Sequence, residues 1–184
     1  MSTPALIAIA AAILVLVGAW MFMMQRRTRL KKQFGPEYER TVRDTGDLRK
    51  AESLLDARAK RVRKYEIRAL SSDERARFAE SWRKLQTRFV DEPAVSVEDA
   101  DRLVTDLMTA RGYPMADFNR HVEDLSVNYP NVVSHYRDAH AVALRDAGPG
   151  ASTEDLRQAL VHYRTLFDEL LSVPQPQEAM RKRA

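Results

Sequence analysis

The stretch Thr153-Glu-Asp-Leu-Arg-Gln-Ala-Leu-Val-His-Tyr-Arg-Thr-Leu-Phe-Asp-Glu-Leu-Leu171 decides the fold class. Its apolar residues Leu156, Leu160, Tyr163, Phe167, Leu170 and Leu171 return every three or four positions, the spacing that lines one face of an α-helix. Ser152 or Thr153 supplies a capping oxygen, and Pro174 and Pro176 end the helix. A half-buried strand would need strict alternation, and no stretch of the chain sustains one.

The same period recurs towards the N-terminus. Asn131 caps a helix running to about Ala147, with Val132, Val133, Tyr136, His140 and Leu144 turned inward. Gly148-Pro149-Gly150 is the turn behind it. A shorter helix between Tyr113-Pro114 and Tyr129-Pro130 carries Phe118, Val122 and Leu125. Ser96 followed by Asp99 reads as a capped start, and Val97, Ala100, Leu103, Val104, Leu107 and Met108 make the buried face of that helix. Gly112 ends it where a left-handed residue is wanted. With Ser72 as N-cap, Phe78, Trp82, Leu85 and Phe89 form an aromatic stripe that Asp91-Glu-Pro93 closes. Residues 71–172 are therefore expected to be a bundle of helices.

Residues 36–70 read as charged helices. Pro36 suits a first helical position with Glu37 and Glu39 behind it, and Gly46 is the stop. From Asp47 to about Tyr65, Leu48, Leu55 and Val62 recur every seven residues, interleaved with Ala51, Arg58 and Tyr65. That thin seam fits a coiled-coil stalk, a helix packed on the bundle, or a helix lying at the membrane.

At the start of the chain, residues 5–24 are an unbroken apolar run, ALIAIAAAILVLVGAWMFMM. Twenty residues at ~1.5 Å each match the ~30 Å hydrocarbon core of a bilayer, so the run predicts a single transmembrane helix. Arg26, Arg27, Arg29, Lys31 and Lys32 follow it, in a basic segment over 25–35. The positive-inside rule then places residues 1–4 outside the cell and the remainder in the cytoplasm, at the inner membrane. A cleaved signal peptide would carry its charges before the run and small residues at its end, and here both are reversed. Residues 173–184 are expected to be a disordered polar tail.

The chain has 30 basic and 26 acidic residues. With the five juxtamembrane cations set aside, the balance is nearly neutral, which argues against a nucleic-acid-binding domain. Arg58, Lys60, Arg61, Arg63, Lys64 and Arg68 form the one local basic cluster, a solvated face or a contact for phosphate or a partner. There is no cysteine, which excludes disulfides and thiolate chemistry.

Catalytic signatures are missing. None of His121, His135, His140 and His162 lies in HExxH or follows a glutamate by three residues. The glycines build no phosphate-binding loop and no nucleophile elbow. Asp117 and His121 share a helix face but are too few for a zinc site. Glu98, Asp99, Asp101 and Asp106 lack calcium-loop spacing and read as an exposed helix face. His-Tyr-Arg occurs twice, at 135–137 and 162–164, too short a match to count as a repeat.

Five runs carry a resemblance: Phe89-Val-Asp, Arg111-Gly-Tyr-Pro, Asp124-Leu-Ser-Val, His135-Tyr-Arg with His140, and Thr153 to Phe167. Through them, most of residues 33–172 resembles a group of uncharacterised bacterial proteins with one N-terminal membrane helix and a helical remainder. The resemblance implies that architecture and no activity. The expected function is a membrane-anchored, non-enzymatic helical adaptor or scaffold that needs no cofactor. Its partners would be the lipid bilayer and another protein, met through 58–68 or through aromatics such as Tyr113 and Tyr129. The alternative is salt-sensitive binding of anionic lipid or nucleic acid through the basic cluster.

Overall fold

Proline and glycine punctuate the chain into helices. The computed structural model describes residues 3–114, 117–146 and 151–172, with side chains from Ala12 onward and without those of 145 and 146. Among the described residues there are eight helices and no strand: α1 Thr3–Phe34, α2 Pro36–Thr45, α3 Leu48–Val62, α4 Ser72–Arg88, α5 Pro93–Ala110, α6 Phe118–Asn128, α7 Val133–Asp146 and α8 Thr153–Ser172. The all-α expectation holds. The turn expected at 148–150 and the tail at 173–184 lie outside the described residues.

The membrane expectation is corrected. No helix among the described residues is long and apolar enough to cross a membrane. Residues 5–11, the first part of the expected span, lie outside the described side chains. Because no helix among the described residues can cross a membrane, the single-pass placement at the inner membrane, N-terminus out and domain in the cytoplasm, is withdrawn.

The chain divides into two compact units between residues 57 and 58. In the first, Leu30, Phe34, Tyr38, Ala51 and Leu55 are buried together with the carboxylate-bearing Glu37. Tyr38 donates to Glu52 at 2.9 Å, and burial together with that carboxylate raises its phenol.

In the second unit α5 packs against α4, α7 and α8, and α8 packs against α7. Trp82, Val104, Leu107, Met108, Leu125, Tyr136, Tyr163 and Phe167 lie at the centre. Trp82 and Phe167 meet with ring centroids 4.7 Å apart. The connection after α3 is stitched to the end of α5. Arg68 N–H donates to the Arg111 carbonyl and Arg111 Nε donates back to the Arg68 carbonyl, each at 2.9 Å. The buried Arg111 also donates to the Leu170 carbonyl of α8 at 2.5 Å. Gly112 makes this approach feasible: its φ is +89°, and a Cβ there would sit 2.3 Å from the Glu66 carbonyl oxygen.

Three local expectations are revised. The cap of α4 is Ser71, not Ser72. Its Oγ accepts from Glu74 N–H at 3.1 Å while Glu74 accepts from Ser71 N–H at 2.8 Å, and this reciprocal box needs the glutamate three residues after the cap. Helix α5 starts at Pro93, whose missing N–H costs nothing in a first turn, so Ser96 lies inside the helix and is fully buried. Leu144 is 65 % exposed, because it lies about 140° around α7 from the buried Ala139. The cap of α8 is Ser152, whose Oγ accepts from Asp155 N–H at 3.1 Å.

Candidate functional site

Three of the six cations of the basic cluster are held by acids of the same unit. Asp124 on α6 is buried and accepts from Arg61 Nε at 2.8 Å and from the Tyr65 hydroxyl at 2.8 Å. Its neighbour Glu123 accepts from Arg61 at 2.9 Å and pairs with Arg58 at 3.5 Å. Burial works against the Arg61 charge, but the Asp124 and Glu123 carboxylates overcome it and raise its pKa. Burial and Asp124 likewise raise the Tyr65 phenol. Arg68 grips Glu74 through two hydrogen bonds of 2.9 and 2.6 Å, which holds the Glu74 carboxyl down to about 2. Lys60, Arg63 and Lys64 face solvent, with Arg63 also donating to the Ala59 carbonyl at 3.2 Å. The cluster thus fastens the end of α3 and the following connection to α6 and α4, and leaves a thin cationic surface.

Of the cations after the apolar run, Arg26 pairs with Asp56, and Arg29 reaches the same carboxylate at 3.6 Å. Lys31 pairs with Glu39 at 3.2 Å and lies 5.2 Å over the Tyr38 ring. Arg27 and Lys32 are exposed. This group, too, is partly spent on its own unit.

Tyr113, expected as an exposed contact, is buried and accepts from Asn128 Nδ2 at 2.9 Å; burial pushes its phenol up to about 12. Tyr129 is half-buried against the core.

Asp101, read as part of an exposed acidic face, turns inward. It accepts from the Tyr163 hydroxyl at 2.9 Å and lies 3.4 Å from His140 Nδ1, without the alignment of a hydrogen bond. The His140 ring stacks on Phe118 with centroids 3.6 Å apart, as suits a core histidine. Burial, reinforced by Asp101, drives the Tyr136 and Tyr163 phenols far above their ordinary value. The spacing Val97, Asp101, Val104, Met108 was the available signal, since these positions share one helix face.

Asp117 caps α6, accepting from Arg120 N–H at 3.0 Å, and His121 is buried with Nε2 3.2 Å from the Pro114 carbonyl. The two His-Tyr-Arg segments do meet. His135 and His162 have ring centroids 4.8 Å apart, and Asp138 joins them on the half-exposed edge of α7 and α8. Burial and the adjacent His135 hold the His162 imidazole below its ordinary pKa, against the pull of Asp138.

A shallow groove of about 340 Å³ runs between α4 and α5, lined by Lys84, Arg88, Asp99, Arg102 and Asp106 among others. Two of its cations meet one carboxylate within the groove: Arg88 reaches Asp99 at 3.0 Å, and Arg102 reaches the same carboxylate at 3.2 Å.

Compared with known proteins, the sequence matches no family model, and no curated protein or solved structure is similar to it.

Proposed function

We propose that this chain is a non-enzymatic helical adaptor or scaffold module that attaches to a protein partner through the apolar side chains of α1. One observation carries the reading. Leu14, Val15, Leu16, Trp20, Phe22 and Met23 each expose more than half of their surface. Single exposed apolar residues are ordinary, but a contiguous exposed patch marks a contact surface. Consecutive residues on a helix are ~100° apart, so Leu14, Val15 and Leu16 alone face three directions, and a covering partner has to surround the helix.

The polar groups support the non-enzymatic part. Asp124, Glu123 and Glu74 engage three of the six cluster cations, and Asp101 accepts the Tyr163 hydroxyl within the core. These side chains are committed to packing. For the same reason the alternative, anionic-lipid or nucleic-acid binding at 58–68, loses much of its attraction.

The test is affinity purification of the full chain from its native cells, beside the Trp20→Asn/Phe22→Asn variant. A specific protein should co-purify with the parent chain and be lost with the variant. Equal recovery of the same proteins by both would reject α1 as the contact.

A further inference from the structure

We infer that His135, Asp138 and His162 form a binding site for a first-row divalent cation of the Zn²⁺ class, held between α7 and α8. One donor atom from each of the three residues lies within 4.8 Å of the other two. Two imidazoles and a carboxylate are a donor set that suits Zn²⁺ and its neighbours, and the absence of thiolates in the chain leaves imidazole as its softest strong ligand.

The arrangement follows from the core beneath it. Tyr136 and Tyr163 are both buried and meet edge-on with centroids 6.1 Å apart. Each tyrosine follows a histidine, so fixing the tyrosines brings His135 and His162 side by side at the rim. Asp138 stands three residues beyond His135, the spacing that puts two side chains on neighbouring positions of one helix face. The repeated tripeptide therefore has a geometric outcome that its length alone did not announce.

Metal–ligand distances of ~2.0–2.2 Å in a tetrahedral site imply donor–donor separations near ~3.4 Å. The three groups must close by about 1.4 Å from their widest separation. Asp138 is exposed and the imidazoles are half-buried, so side-chain rotation suffices and the helices need not move. Metal ligation requires the neutral imidazole, and burial together with the adjacent His135 ring favours that form in His162. The other two histidines differ: His121 lies against a backbone carbonyl, and His140 is stacked on Phe118. Three protein donors leave a fourth position for water.

The full chain, stripped of metal, should be titrated with Zn²⁺ by calorimetry while the imidazole ¹⁵N shifts are followed. The inference expects one equivalent bound, with the shifts of His135 and His162 moving and those of His121 and His140 staying. His135→Gln and His162→Gln should each weaken binding by more than about tenfold, a loss at least as large as that from disturbing an outer-shell partner. Asp138→Asn, at an exposed position, should also weaken it while leaving the helical circular dichroism unchanged, and His121→Gln should leave the affinity unchanged. Lack of binding by the folded parent chain, shifts centred on His121 or His140, or full affinity in the His135→Gln/His162→Gln double variant would each overturn the site.

Discussion

Replacing Asp124 by alanine removes the acceptor that joins three elements. Its side chain is 4 % exposed and receives Arg61 at 2.7 Å and the Tyr65 hydroxyl at 2.8 Å. Breaking a fully buried ion pair costs about 3–5 kcal/mol. The present pair falls short of that limit, because Arg61 is 27 % exposed and keeps Glu123 at 2.9 Å. Hydrogen bonds to charged groups contribute about 1.5–3 kcal/mol, and Tyr65 would also lose its acceptor, so the expected loss is about 2–3 kcal/mol. With urea slopes of ~1–3 kcal/mol per molar, the midpoint should fall by on the order of 1 M at constant slope. A double-mutant cycle with Arg61→Ala should return a coupling of about 1–2 kcal/mol. A loss below ~0.5 kcal/mol, with Arg61→Ala simply additive, would show that the cluster is a solvated face and not a clasp.

Three further outcomes follow from particular residues. Ser96→Ala should stabilise the chain by roughly 0.5–1.5 kcal/mol, because the buried Oγ has no hydrogen-bond partner among the described residues and alanine is the better helix former; a loss of stability in urea would reinstate a capping role. Gly112→Ala should cost more than about 2 kcal/mol through backbone strain and the clash with the Glu66 carbonyl, and a thermal midpoint equal to the parent's would refute that contact. Glu74 has its folded pKa depressed from 4.5 to about 2, so its contribution to stability is present above pH 4.5 and lost as pH falls through about 2. Arg68→Ala should return the Glu74 titration, read by carboxyl NMR, towards 4.5, whereas an unmoved titration would remove Arg68 as the cause.

The helices were legible because the stripe Leu156, Tyr163, Phe167, Leu170 and its counterparts follow a local period that burial then fills. Their ends were less so. Ser71 and Ser72 are chemically equal caps, and the choice between them depends on which one has Glu74 three residues ahead. Leu144 is apolar yet exposed, because its angle on α7 differs from that of Ala139 and Tyr136.

The site was less legible still. Asp124 meets Arg61 across 63 residues, and Asp101 meets Tyr163 across 62, so no local pattern could join them. The basic cluster looked free because its acids lie elsewhere in the sequence. The likeness of the two His-Tyr-Arg segments was visible, but their meeting required the packing of α7 on α8. For α1, the apolar composition was plain, yet no helix among the described residues is long and apolar enough to cross a membrane.

The account rests most directly on what touches α1 in the cell. A photo-crosslinking residue placed at Phe22, which is 69 % exposed, would capture its neighbour in intact native cells for identification by mass spectrometry. A reproducible adduct with one protein is the predicted result. Adducts with lipid alone, or none above those formed from the solvent-facing Lys60, would contradict the proposal that α1 attaches the chain to a protein partner.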